Sequence, residues 1–323
     1  MPSTLEIDQT GYRQICKEYD LPIFYQPWWL DAVCIQGQWR AIWVKNKKGI
    51  VEGIWPYCIQ KHWGFTRIVT PMLTPMLGPW LFYPYAEKLD RSTRDFEFSV
   101  YPELIEQFPL ASMIQVKCPP QLKNWLPFAW TGFKQTTRYS FVLSDLANLQ
   151  TLFSHFSPKV RNHIQAASSL LKLNMHVTDS LLELYRLMEL TFAKKRLKMP
   201  FSLAFLQKLD TAVTENAQRQ IITVADQDGK IHAAAYVLYD KTTAYLLLLG
   251  SNPSIRHRGA ISLAIWEAIQ QASRKVGSFD FEGSMLPGAA KVFAMFGGDM
   301  QPYFMLTRFK NHALNVAYQW LRG

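Results

Sequence analysis

"WVKNKKGIVEGIWPY" (43–57) is an apolar run, a polar turn holding a glycine, and a returning apolar run. Polar residues and Gly between two β-rich segments signal a hairpin, because Gly supplies the positive φ that a tight turn needs. "TVADQDGKIHAAAYV" (223–237) has the same form, and its Gly229 follows Gly49 by 180 residues. Each hairpin precedes a further strand candidate, at 65–69 and at 243–249. Each of those leads through a loop and a helical stretch to a last strand, at 113–116 and at 278–281. Helices come before the hairpins. Ser157-Pro158 opens one, with Ser as N-cap and Pro at the first helical position. Ser180-Leu181-Leu182-Glu183 is a capping box opening another, and its Leu184, Leu187, Met188 and Leu190 recur at helical spacing. A third begins near Ser202. The order helices, hairpin, strand, helix, strand, helix, read twice, predicts an α/β chain of two tandem domains, 1–143 and 144–323. Each is expected to be a mixed β-sheet flanked by helices. The boundary is placed near "RYSFVLSDL" (138–146), where a strand ends before a polar helical region.

The chain has 323 residues, a length that suits two cores better than one. Hydrophobic residues make up 49% and charged residues 19%, so it is expected to fold and not to remain disordered. Cys16, Cys34, Cys58 and Cys118 form no C-x-x-C pair and the histidines are scattered. That usage reads as a reduced, cytoplasmic protein with no metal site. "MPSTLEIDQTGYRQ" lacks the basic-then-apolar pattern of a signal peptide. The longest apolar runs, at 233–239 and 245–249, are too short to span a bilayer. The net charge of +10 gathers between residues 159 and 208. A basic face there fits phosphates, tRNA or peripheral contact with an anionic membrane; it fits a solvated helix face as well.

Four stretches carry candidate chemistry. "FDFEGSMLPGAAKVFAMFGGD" (279–299) ends a strand in Asp280 and Glu282, then turns at Gly283 and Ser284 into a helix that starts near Pro287 and stops at Gly297-Gly298. Alternation puts Asp280 and Glu282 on one face and Phe279 and Phe281 on the other. Two acids at the C-terminal end of a strand lie where open α/β sheets bind ligands, and a carboxylate there can act as general base toward an amine. The alternative is a pair of acids that bind nearby cations and pin the helix. In "GSNPSIRHRGAISLAIW" (250–266), Arg256 and Arg258 precede a helix beginning near Gly259, a plausible anion site or a plain solvated loop. "AKKRLKMPFS" (193–202) is a basic turn with Lys194, Lys195, Arg196 and Lys198. "TPMLTPMLGPW" (70–80) is too rich in Pro for a regular helix. It is read either as the lining of a cleft or as a rigid connector covering the first sheet.

The strand–RxxG–helix–FDFEGS–helix–FGG order over 243–298 resembles the second half of a GNAT-fold domain. More narrowly, it resembles the Fem family of aminoacyltransferases. "RNHIQAA" (161–167) and "FYQPWWLDAV" (24–33) also resemble helices of that family's second and first domains. The resemblance covers most of the chain. It implies two GNAT-like domains with a cleft between them, and transfer of an acyl or aminoacyl group to an amine. In Fem enzymes the donor is aminoacyl-tRNA and the acceptor a peptidoglycan precursor carrying a diphosphate. The sequence departs from the family in three places. The early helix carries Asp31 and no Lys. Lys291 lies one or two places from the expected Phe-Lys pair. Ile261 replaces the small third residue of the CoA-cradling Q/R-x-x-G-x-G/A pattern, in which Arg256 and Gly259 match.

The expectation is an N-acyltransferase using acyl-CoA or aminoacyl-tRNA as donor substrate, with no tightly bound cofactor and no metal. Glu282 or Asp280 would accept the amine proton. Backbone N–H groups near Gly250 or Ser284 would hold the oxyanion. Arg161, Arg196, Gly283, Ser284 and Lys291 would contact the acceptor, and Arg256, Arg258 and Gly259 the donor. The alternatives are a catalytically silent protein holding an anionic, phosphorylated or nucleotide-linked ligand in the cleft, and a tRNA-binding partner.

Overall fold

The computed structural model describes residues 4–34, 38–62, 64–84, 91–254, 259–283, 285–311 and 314, leaving aside the side chains of 4–8, 62, 91 and 92. The chain divides into two units. One comprises Met1–Arg138 with Pro302–Gly323, and the other Tyr139–Gln301. The first half of the sequence runs α1 (Thr4–Glu18), α2 (Pro27–Val33), β1 (Gln38–Lys45), β2 (Val51–His62), β3 (Phe65–Val69), β4 (Trp80–Leu81), α3 (Arg91–Glu106), β5 (Met113–Lys117), α4 (Leu126–Trp130) and β6 (Lys134–Leu143). The second half adds α5 (Leu149–His155), α6 (Pro158–Gln165), β7 (Asn174–Thr178), α7 (Leu181–Lys194), α8 (Leu203–Asn216), β8 (Gln218–Ala225) and β9 (Ile231–Tyr239). It closes with β10 (Thr243–Ser251), α9 (Gly259–Ser273), β11 (Ser278–Asp280), α10 (Pro287–Ala294) and β12 (Asp299–Phe309).

The two hairpins repeat atom for atom at their turns. Asn46 Oδ1 accepts from the N–H of Lys48 at 2.9 Å and of Ile50 at 3.1 Å; Asp226 Oδ1 accepts from Asp228 at 3.1 Å and Lys230 at 2.9 Å. Gly49 and Gly229 take φ of 80° and 78°. Both hairpins carry a bulge at the same place, between Val44 and Lys45 and between Val224 and Ala225. Short polar side chains bonding their own turn explain why Asn and Asp stand there.

Within each unit the strands take one order. The first has β1-β2-β3-β5, with β3 and β5 parallel; the second has β8-β9-β10-β11, with β10 and β11 parallel. Each unit takes its next strand from the other half of the sequence. β12 pairs antiparallel with β5, and β6 with β11. The single boundary expected at 143/144 is therefore replaced by two crossings, inside β6 and inside β12. No local signal marks such an exchange, because a strand carries the same pattern whichever neighbour it bonds.

Both units are layered. In the second, Ala233, Ala235, Val237, Phe279 and Phe281 join Val160, Ala264 and Ala268 in one core, packing α6 and α9 on one face. The opposite face carries Tyr236, whose hydroxyl donates to Asp210 of α8 at 2.8 Å. Asp210 also holds Arg219 through two bonds of 2.9 and 3.0 Å, and Arg219 reaches Asp179. A buried carboxylate and guanidinium satisfy each other in this way. In the first unit Trp55, Tyr57, Val100, Tyr101, Leu104 and Phe128 form the core under α3 and α4. The 70–80 stretch packs into this unit. Thr74 and Leu77 are buried, Trp29 Nε1 donates to Thr74 Oγ1 at 3.0 Å, and Leu77 N–H to the Lys117 carbonyl at 2.9 Å.

Candidate active site at the end of β11

β11 is three residues long because its neighbours stop matching it. It pairs with β10 from Thr243↔Ser278 to Tyr245↔Asp280, while β10 runs on to Ser251. On the other side Asp280 stands opposite Val142 of β6, and the Phe281 N–H still donates to the Phe141 carbonyl at 3.0 Å. Glu282 lies beyond the strand, at φ 57°. The alternation expected to set Asp280 and Glu282 on one face therefore ends before Glu282. A left-handed glutamate is uncommon, and such residues concentrate at functional corners.

Ser140 of β6 holds this corner together. Its hydroxyl donates to Asp280 Oδ1 and accepts the Gly283 N–H at 2.9 Å. The Glu282 N–H donates to the same Asp280 Oδ1 at 2.8 Å. Asp280 Oδ2 has no hydrogen-bond partner among the described residues, which leaves it able to take a proton. Burial raises the Asp280 pKa above the ordinary carboxylate value, and the bonds from Ser140 and the Glu282 amide offset part of that rise. Tyr245, opposite Asp280 on β10, is buried, and burial followed by the charges of Asp240, Asp280 and Glu282 pushes its pKa well up. It is a protonated phenol beside a carboxylate with raised proton affinity. Ser140 and Tyr245 were not found from the sequence. Ser140 stands 140 residues from its partner, and Tyr245 reads as one more apolar residue in "TAYLLLLG".

The corner brings together Asp280, Glu282 and Gly283. Ser284, Arg256 and Arg258 lie outside the described residues. Arg161, on α6, donates to the Ser154 carbonyl at 3.0 Å. Arg196 and Lys291 are exposed, and neither makes a side-chain hydrogen bond or ion pair among the described residues. Gly259 has a packing role: a Cβ there would lie 2.6 Å from the His163 carbonyl oxygen, where α9 meets α6. Gly250 is likewise pressed against α7, 2.8 Å from the Met188 nitrogen by the same measure. Asp31, on the early helix α2 that carries no Lys, binds Arg13 at 2.7 Å and accepts from Trp39 Nε1 at 2.8 Å. Among the described residues no group of three or more His, Cys, Asp or Glu is placed to hold a metal ion, and no helix is long and apolar enough to cross a membrane.

Residues 154–293 match the model of the acetyltransferase (GNAT) domain. That span contains the β10–β11 corner and omits β6, which supplies Ser140. No curated protein matches the chain by sequence. Among solved structures, FemX matches with a TM-score of 0.68 at 13% identity, over 100% of this chain and 99% of that one. The C-terminal domain of a putative lysylphosphatidylglycerol synthetase from Agrobacterium fabrum matches with 0.59 at 12% identity, over 98% and 96%. A tandem GNAT protein from the clavulanic acid biosynthesis pathway matches with 0.54 at 12% identity, over 96% and 97%. Residues 154–293 thus carry a GNAT domain, and the chain as a whole has the fold of these solved structures. This chain carries it in the tandem form that the Fem-type resemblance implies.

Proposed function

We propose that the protein is an N-acyltransferase that moves an acyl or aminoacyl group from an acyl-CoA or an aminoacyl-tRNA to an amine. The Fem resemblance directs the search for the acceptor to cell-envelope precursors. The observation that carries the reading is the Asp280 corner: a carboxylate of raised proton affinity, clamped through one oxygen, where β10 and β11 part. The amine nitrogen attacks the donor carbonyl and forms the C–N bond. Collapse of the tetrahedral intermediate breaks the thioester C–S bond or the ester C–O bond. The amine proton passes to Asp280 Oδ2, and the departing thiolate or alkoxide takes a proton, for which the Tyr245 phenol is the candidate donor. Leu247 is left without a partner on β9 by the bulge between Leu246 and Leu248, and its backbone N–H is the candidate oxyanion donor.

The test is a thermal-shift screen against acetyl-CoA, longer acyl-CoAs, bulk aminoacyl-tRNA and UDP-linked peptidoglycan precursors, followed by turnover with whatever binds. A specific ligand raises the melting temperature by mass action. A shift with CoA esters assigns an acyl-CoA donor. A shift with tRNA or the UDP precursor, and none with CoA, assigns aminoacyl transfer. Asp280→Asn is expected to cut turnover roughly 10²- to 10⁴-fold while binding persists. Ligand binding without turnover in the wild type selects the silent binding protein instead, and no shift with any ligand overturns the transferase reading.

A further inference from the structure

We propose that the turn following α7 docks on an anionic lipid surface. α7 ends at Lys194, the first residue of "KKRLKMP" (194–200). The turn is held rigidly at both ends. At its start the Arg196 N–H donates to the Ala193 carbonyl at 2.9 Å and the Leu197 N–H to the Phe192 carbonyl at 3.0 Å. At its end Phe201 is buried, its carbonyl accepts from the Tyr185 hydroxyl at 3.0 Å, and Ser202 caps α8 by accepting the Phe205 N–H at 3.2 Å. From the last residue of α7 onward, Lys194, Lys195, Arg196 and Lys198 are all exposed. None of the four makes a side-chain hydrogen bond or ion pair among the described residues, whereas Arg13, Arg186 and Arg219 each meet a carboxylate. In their midst Leu197 is 51% exposed.

The helix dipole accounts for a cation or two at a C-terminus. It does not account for four unpaired ones, nor for a leucine held out on a fixed turn. Cations that cluster around an apolar side chain match the layered chemistry of a bilayer face. The charges meet anionic head groups, and the leucine enters the boundary with the acyl chains. Single-stranded nucleic acid would also attract the charge, but its binding surfaces pair cations with aromatic platforms, and residues 194–200 contain no aromatic. The proposal is independent of the acyl-transfer reading.

The experiment is co-sedimentation of the full chain with phosphatidylcholine vesicles, with and without phosphatidylglycerol, at low and high salt. Three proteins are compared: wild type, the charge variant Lys194→Gln/Lys195→Gln/Arg196→Gln/Lys198→Gln, and Leu197→Ser. The wild type is expected to bind only the phosphatidylglycerol vesicles, and less so at high salt. Each neutralised cation is expected to weaken binding roughly fivefold, and Leu197→Ser about tenfold. All five positions are exposed, so melting temperatures are expected to stay near wild type. No vesicle binding by the wild type overturns the proposal, as does undiminished binding by the charge variant. If Leu197→Ser sediments like the wild type while a homopolymeric RNA is bound by both and lost by the charge variant, the turn is a nucleic-acid surface and the lipid reading falls.

Discussion

A Cβ on Gly283 would lie 2.1 Å from the Tyr139 carbonyl oxygen and 2.6 Å from the Ser140 Cα. Both neighbours are backbone of β6, which cannot step aside without breaking its pairing with β11. Gly283→Ala is therefore expected to destabilise the protein by about 3 kcal/mol, measured by denaturant unfolding. It should also open the Ser140–Asp280 clamp. Two acids give opposite pH signatures. The Asp280 pKa is raised in the folded state, so its contribution to stability is present below the ordinary carboxylate value of 3.8 and is lost as the pH rises through the folded value. Asp280→Asn is accordingly expected to keep or raise the neutral-pH melting temperature. Asp226 is the reverse case. A hydrogen bond to His232, at 2.8 Å, and then the Lys230 N–H hold its pKa down. Its contribution is present above 3.8 and is lost as the pH falls through the folded value. Asp226→Asn should keep the turn, because Asn46 builds the same turn in the first hairpin, and should reduce the acid-side loss of stability in a pH series of thermal melts.

α7 is closed by a Schellman arrangement in which Arg196 takes the left-handed position, at φ 55°. Glycine usually occupies that place because a Cβ is strained there. Arg196→Gly is expected to stabilise the protein by about 0.5 kcal/mol, the relief of strain outweighing the added freedom of the unfolded chain. Thermal unfolding reads this directly, and a loss of stability would mean that the arginine side chain makes a contact worth more than the strain. The helix starts are conventional by comparison. Ser157, Ser180 and Ser202 each accept a backbone N–H three residues on, at 3.3, 3.5 and 3.2 Å. Their bonds are local, which is why the sequence places α6, α7 and α8 to within a residue or two.

The exchange of β6 and β12 makes each unit depend on the other half of the chain. Residues 144–301 lack β6, so β11 would have an open edge and Asp280 would lose Ser140. That fragment is expected to lack a cooperative unfolding transition, whereas residues 134–301, which restore β6, should show one. Calorimetry of the two fragments checks this, and equal cooperativity would mean that β6 is dispensable to the second unit. The buried Asp210–Arg219–Tyr236 cluster lies wholly within that unit, with Arg219 bound to Asp210 at 2.9 Å. Both fragments contain it, so β6 is the difference that the comparison reads.

Elements whose signals are local are legible in the order of residues alone. The Asn46–Gly49 and Asp226–Gly229 turns and the serine caps rest on bonds within a few residues, and the Pro287 start of α10 on the local preference of Pro for the first helical turn. That order also places Asp280 and Gly283 at the end of a strand, the part of the site that lies in one stretch. What those residues touch depends on contacts made across the fold. Ser140 reaches Asp280 across 140 positions, Tyr245 reaches it across a parallel pairing, and β6 and β12 trade places between the halves. Strand partnership leaves no trace in a strand's own alternation, since both edges offer the same backbone groups. A glycine such as Gly259 is the same letter whether it cradles a ligand or a neighbouring helix. The His163 carbonyl that the fold brings against Gly259 is a contact no local pattern announces.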